Sequence, residues 1–457
     1  MNPNLPSSSS DGTGVAWLLN HLGRRVWPLS AITVFVAVSM AYSFWWGPVI
    51  HHQPGWIVPG DIWSTFRAAH WVGWGSLGSV YGSDTQLVTF PGIAVLLAPV
   101  AMISGALGLS ESIAPVFLAH PTSWYLLGPA ILVLGSSCLL SFDAAAEEMG
   151  VDRPRRALLC LVEAVVIFQV LTIWGHPEDM VALALALYAL LAMVRRLWTL
   201  SAWLWGVAIV VQPLVLLLLP LAFVRTPADR RVRLCVVAAL PSAVLVGTPM
   251  LTDWGATSKV LFQQANFEYL DHATPWVALS PRLSDISVGA GPGRLIAVAA
   301  SVGLAVLASR RRPSLAGLIW LCAVALSLRC FFEAVMVSFY LGPPLAMIVL
   351  AAALRRSWSR LVGAGLIAVA ATVVAFRRMP PWGYWGSVVA LLAVGLLFAW
   401  PGRGALGWWD RRPSDSGVGA APVPRSGDRA DGSKPPTPAG ALQDGHGLDP
   451  VPLDVAR

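Results

Sequence analysis

Four stretches of this sequence carry side chains able to do chemistry. In Trp174-Gly175-His176-Pro177-Glu178-Asp179 an imidazole and two carboxylates fall within four residues, between two apolar runs. Ionisable groups so placed are expensive unless they are solvated, paired or used. Pro177 suits the first turn of a helix, and Glu178 and Asp179 suit its positive end. The stretch therefore reads either as a well-formed helix start or as a binding site. Three adjacent residues converge poorly on one ion, so no metal is expected. Asp61 follows the turn Pro59-Gly60 and opens a helix. There a carboxylate acts as an N-cap or, partly desolvated beside an apolar surface, as a general base. Farther along the same segment, Arg67 is either a phosphate partner or a snorkelling interfacial arginine, and His70 either a ligand or an interfacial structural residue. Gln212-Pro213 divides two short apolar runs. Arg329 and Glu333, spaced i,i+4, form either an ion pair at a turn or a phosphate-binding arginine held by its carboxylate.

The elements that position these groups are set by composition. Of 457 residues, 56% are apolar and 12% charged, with mean hydropathy +0.66. Soluble domains carry about 25% charged residues, so a soluble enzyme, a disordered regulator and a nucleic-acid binder are all excluded. The net charge of +7 comes from arginines between apolar runs, as in the cytoplasmic loops of a membrane protein. The five cysteines lie in apolar runs without metal spacing and read as small hydrophobes, with a Cys322–Cys330 pairing left open.

Residues 1–26 read as a cytoplasmic N-terminal segment and 403–457 as a disordered cytoplasmic tail rich in Pro, Gly, Ser and Asp. Between them, 27–402 holds about 12 apolar runs of spanning or near-spanning length. The expected class is an all-α polytopic membrane protein of the cytoplasmic (plasma) membrane. Putting the arginine clusters at 24–25, 153–156, 195–196, 225–233, 310–312 and 355–360 inside leaves two large outer segments, 47–123 and 252–291. Juxtamembrane helices are expected in the first of these, whose apolar part, 90–119, must re-enter the bilayer or lie on it. The second holds Lys259 and Arg282. Several of the 22 tryptophans, among them Trp45, Trp46, Trp174 and Trp276, fit an interfacial aromatic belt.

Four pieces occur in order: an acidic residue after the first run; Phe90-Pro91 with Leu96-Leu97-Ala98-Pro99; Gly175-His176-Pro177-Glu178-Asp179; and a run from Gly206 through Gln212-Pro213 to Pro220, followed by Arg225. Over about residues 27–230 this order resembles the GT-C fold polyprenyl-phosphate-sugar-dependent glycosyltransferases, closest in type to actinobacterial mannosyltransferases and arabinofuranosyltransferases. Phe90-Pro91-Gly92 stands where that family carries Y-P-P, the His176 stretch replaces an amide-bearing one, and Gln212-Pro213 replaces Lys-Pro. The resemblance implies a GT-C-like bundle. It implies transfer of a sugar, mannose first and arabinofuranose second, from a polyprenyl phosphate donor in the lipid bilayer to a glycolipid or polysaccharide acceptor at the outer face. Asp61 would be the general base of an inverting displacement. Arg329, Arg67, Lys259 and Arg282 would be candidates for the donor phosphate, and His70, His176, Glu178, Asp179 and Gln212 for substrate. No cofactor is implied. A lipid phosphate already supplies a leaving group, so neither is a metal. The rival classes are a polytopic transporter, whose polar residues would ring a midplane site, and a non-catalytic membrane scaffold.

Overall fold

The computed structural model describes residues 21–82, 85, 87–110, 120–267, 272–311, 313–355, 357–375, 377, 379–402 and 404–406. The expected tail lies outside them apart from 404–406, as do 1–20 of the N-terminal segment and 111–119 of the first loop.

Arg24 and Arg25 precede α1 (Val26–Ile50), whose last turns pass through a π-helical stretch, Tyr42–Trp46. Two helices of the first loop follow, α2 (Ile62–Gly73) and α3 (Gly92–Ala106), packed on each other. Then come α4 (Trp124–Glu148), α5 (Arg153–Trp174) and α6 (Pro177–Val194). Next is α7 (Trp198–Val211), which stops at Gln212 in extended conformation. Pro213 and Pro220 lack the N–H a helix interior needs, so the chain returns through a 3-10 turn, Pro213–Leu217, and a short α8 (Leu219–Arg225). α9 (Ala228–Leu245), α10 (Gly247–Thr252) and α11 (Trp254–Phe262) lead into the second loop. Beyond it lie α12 (Gly293–Ser309), α13 (Leu315–Phe332), α14 (Gly342–Ala353), α15 (Trp358–Ala375) and α16 (Pro381–Phe398).

Seven of the described helices are long and apolar enough to cross a membrane: α1, α4, α5, α6, α13, α15 and α16. The other expected runs give shorter pieces. Helices α3, α7 and α12 have 15, 14 and 17 residues, and α9 opens on Asp229, Arg230, Arg231 and Arg233. The run at 333–354 breaks where Glu333 leaves the helix. Helix α6 is the centre, with 83% of its most apolar window buried, against 28% for α1 and 22% for α16 at the periphery. Every residue of α14 is also buried. The exposed faces of the outer helices are apolar, with Val34, Trp45, Leu366 and Leu397 bare, as a lipid-facing surface requires.

The second loop adds a few short strands to the all-α frame. β1 (Asn266–Phe267), β3 (Arg282–Ser284) and β4 (Ser287–Val288) form a small antiparallel sheet in the order β1-β4-β3. β2 (His272–Ala273) pairs with β5 (Val335–Met336), just after α13. Backbone outside a helix must find partners, and these ladders supply them. All five cysteines are free, so Cys322 and Cys330 are not bridged.

Hydrogen bonds sort the helix ends into two groups. At one end Arg25 reaches Asp143, Arg195 reaches Glu148, Arg233 reaches Thr199, Arg225 reaches the Pro313 carbonyl and Arg355 reaches the Pro401 carbonyl. At the other end sit Asp61, His176, Gln212, Arg294, Arg329 and Glu333.

Candidate functional site

His176 is placed by a local break. Helix α5 ends in a second π-helical stretch, Gln169–Trp174, and Gly175 follows at φ +71°. A β-carbon there would meet the Pro59 ring at 2.6 Å. Only glycine tolerates both the left-handed backbone and this approach. The approach brings the chain before α2 against the chain before α6, and with it Asp61 against His176.

The His176 ring is held on three sides. Nδ1 lies 2.6 Å from Glu178 Oε1, Nε2 lies 3.2 Å from Asp61 Oδ2, and the ring stacks on Phe339 at 3.7 Å between centroids. Carboxylates only accept, so two of them require both ring nitrogens to donate, which is the imidazolium. The energetics agree. Burial favours the neutral ring, but the Glu178 charge and the hydrogen bonds with Asp61 and Glu178 outweigh it and push the pKa up to about 10. His176 is thus a fixed cation at neutral pH.

A group whose pKa is raised by folding stabilises the fold fully below its unfolded value, near 6.5, and loses that contribution as pH climbs to its folded value. Between pH 6.5 and about 10 the wild-type unfolding midpoint should therefore fall more steeply than that of His176→Gln. Parallel curves across that window would show that the imidazolium is not stabilised by its carboxylates.

Asp61 does not act as a cap. It occupies the N-cap position of α2 with no side-chain bond to the helix. Its carboxylate is 58% exposed and turned toward His176. On the other side of the histidine, Glu178 and Asp179 occupy the first turn of α6, 3% and 1% exposed. Gln212 Nε2 donates to Asp179 Oδ1 at 2.7 Å, so the break between α7 and α8 closes onto α6. Glu178 Oε2 and Asp179 Oδ2 are buried with no hydrogen-bond partner among the described residues.

The cationic side comes from α12 and α13. The Arg329 guanidinium lies 4.0 Å from the centre of the Tyr340 ring, and its Nε is 3.4 Å from Glu333 Oε2. Its charge and that of Asp179 act on each other. Glu333, 1% exposed, also accepts from Arg294 Nε at 2.9 Å, and Arg294 Nη1 donates to Gln264 at 2.9 Å. Arg294 and Gln264 were not expected from the sequence. Thr274 binds the Glu333 carbonyl, and His272 stacks on Tyr384 at 3.8 Å, so the second loop is laced to this end.

Asp61, His176 and Glu178 thus form one hydrogen-bonded chain and Asp179 with Gln212 a second beside it in the first turn of α6, where Arg329 is electrostatically attached to Asp179. The remaining expected residues stand elsewhere. His70 packs edgewise on Phe66 at 4.8 Å and near Trp74, roughly 13 Å along α2 from Asp61. Arg67 is half-buried on α2, and its Nε has no partner among the described residues. Lys259 is exposed on α11, and Arg282 is exposed on β3, whose partner is β4. Among the described residues, no group of three His, Cys, Asp or Glu is arranged to hold a metal ion.

Comparison with protein-family models and with curated proteins finds no match. What fold and site define is a helical membrane protein with a mixed-charge cluster at one end of its long apolar helices.

Proposed function

We propose that this chain is a GT-C-type membrane glycosyltransferase. It moves a sugar, mannose in the first instance, from a polyprenyl phosphate donor to a lipid-linked or polysaccharide acceptor at the outer face of the cytoplasmic membrane. One observation carries the reading. Asp61 spends its carboxylate not on its own helix but on His176, 115 residues away, beside a half-exposed surface and at the same end of the fold as Arg329. The arginine-rich ends, gathered at the opposite side, support the orientation by the bias of cytoplasmic loops toward Arg and Lys. With the seven long helices, the reading takes α7 and α8 as two half-length pieces meeting at Gln212-Pro213 and α9, α12 and α14 as further passes, toward the expected total of about 12.

The chemistry follows from the groups present. An acceptor hydroxyl attacks the anomeric carbon and gives its proton to the free oxygen of Asp61. The carbon–oxygen bond to phosphate breaks, its electron pair stays on the phosphate oxygen, and configuration inverts. The His176 imidazolium orients Asp61. Arg329 faces the charge that gathers on the leaving phosphate. A transporter would instead gather its polar groups at mid-span, whereas this cluster sits at helix ends.

The test is to incubate membranes from cells with and without the chain with radiolabelled polyprenyl-phosphate-mannose and, in parallel, the arabinofuranose donor. The expected result is a labelled glycolipid or polysaccharide only where the chain is present, with its anomeric configuration opposite to the donor's. Label from the arabinose donor alone moves the reading to the second sugar. No chain-dependent label from either donor removes it.

A further inference from the structure

Glu333 gathers more positive charge than it can neutralise. Its two oxygens accept from two arginines, Arg329 four residues back on α13 and Arg294 from the first turn of α12. One buried carboxylate needs one guanidinium for charge balance. Asp179 also acts on Arg329, so what the second arginine leaves over is hydrogen-bond donors beyond the acceptors around it. Arg294 spends Nε on Glu333 and Nη1 on Gln264, while Nη2 is buried and meets no acceptor among the described residues. Arg329 spends Nε on Glu333, and its guanidinium lies over the Tyr340 ring. Arg294 is also badly placed for its own helix, since a cation in the first turn opposes the macrodipole. A buried charged donor without an acceptor is costly, so Arg294 Nη2, beside a second guanidinium on the same carboxylate, is placed to meet an anion.

We propose that Arg294 and Arg329, spread around Glu333, form a two-guanidinium clamp for a phosphate monoester, holding the departing lipid monophosphate more tightly than the phosphodiester from which it came. This rests on the reading of Arg329 as the phosphate contact. The donor's phosphodiester offers two terminal oxygens and one negative charge. When the sugar–oxygen bond breaks with its electron pair, the phosphate becomes a monoester with three terminal oxygens. Its second charge is present above about pH 6. Only that species uses donors from both arginines, and arginine's planar fork suits such oxygens. The clamp therefore meets charge as it develops and makes the lipid phosphate a slowly released product.

The test is calorimetric binding to the purified full chain in nanodiscs at pH 7.5. The probes are a short-chain polyprenyl monophosphate, its methyl phosphodiester and inorganic phosphate. Wild type is expected to bind the monoester about tenfold more tightly than the diester, and the preference should vanish at pH 5 as the monoester takes up its second proton. Arg294→Gln should abolish the preference through weaker monoester binding, with diester affinity within about threefold. Arg294→Lys keeps a cation beside Glu333, so it guards against simple unfolding, and it should lose most of the preference because the fork is gone. Monoester and diester binding within threefold in wild type, or a preference that survives both variants, overturns the clamp. Inorganic phosphate binding as tightly as the lipid monoester would make free phosphate the ligand and overturn the lipid assignment. No sugar transfer is read, so these outcomes stand apart from the glycosyltransferase test: a chain that shows the preference but labels no glycan keeps the clamp and loses the enzyme.

Discussion

Asp61→Asn is expected to lower chain-dependent transfer of labelled sugar by about 10²–10⁴-fold, the usual contribution of a positioned general base. The substitution keeps the shape of the side chain and an oxygen that can still accept from His176 Nε2, so the site's geometry survives while the basic group is lost. Stability should hardly change. The Asp61 side chain is 58% exposed and makes no bond to its own helix, and ion pairs that open to water contribute about 0–1 kcal/mol. The measurement is the initial labelling rate in membranes carrying equal amounts of protein, together with the unfolding midpoint of the purified chain. A rate within threefold of wild type would remove Asp61 as the base. His176 is not the substitute base, because with a pKa of about 10 both its nitrogens are already protonated at neutral pH. His176→Gln should accordingly lower the rate less than Asp61→Asn, through looser orientation of Asp61.

Much of the frame is legible in the sequence because hydrophobic length is a local property. The long apolar runs became helices, and Pro213 stopped α7 where a missing N–H must stop it. Pro177 marked the start of α6 correctly, since a first-turn proline is a local signal; the left-handed turn at Gly175 came only with the structure. The pairing of Asp61 with His176 was not legible. It depends on how α1 and α5 pack, across 115 residues, and Asp61 taken alone fits a plain helix cap equally well. Arg294 did leave a signal, a cation in the first turn of an apolar helix, where the dipole disfavours it. That conflict points to an outside partner without naming Glu333, 39 residues on. The strands of the second loop have two or three residues each, too short for an alternating pattern to show. Lys259 and Arg282 looked like phosphate contacts because charge in an outer loop is conspicuous. Position along the chain says nothing about which loop residues fold back over the helix ends.

The largest stability effect is expected at the opposite end of the fold. Asp143, 1% exposed on α4, accepts from Arg25 Nη1 at 2.6 Å and from Arg156 Nε and Nη2, also at 2.6 Å. Arg25 and Arg156 are themselves buried, at 4% and 8%, and both reach Glu147 as well. One carboxylate thus ties the starts of α1 and α5 to the end of α4. Desolvating an ion cluster is costly, so its net worth against an apolar replacement of the whole set is small. Removing one partner is different, because the remaining charges stay buried. Asp143→Ala leaves two guanidiniums facing each other with only Glu147, and should cost about 3–5 kcal/mol, read as a lowered unfolding midpoint and a poor yield of folded chain. The half-exposed pair Arg195–Glu148 at the same end is the internal contrast; Glu148→Gln should change stability by about 1 kcal/mol or less. Equal effects at the two sites would show that burial does not decide the matter. The cluster lies roughly 30 Å along α5 from His176, so whatever fraction of Asp143→Ala folds should transfer sugar at the wild-type rate per molecule. A loss of rate per folded molecule would mean instead that the arginine end and the Asp61 end are mechanically coupled through α5. The π-helical stretch at Gln169–Trp174, next to the left-handed Gly175, is where such coupling would act on His176.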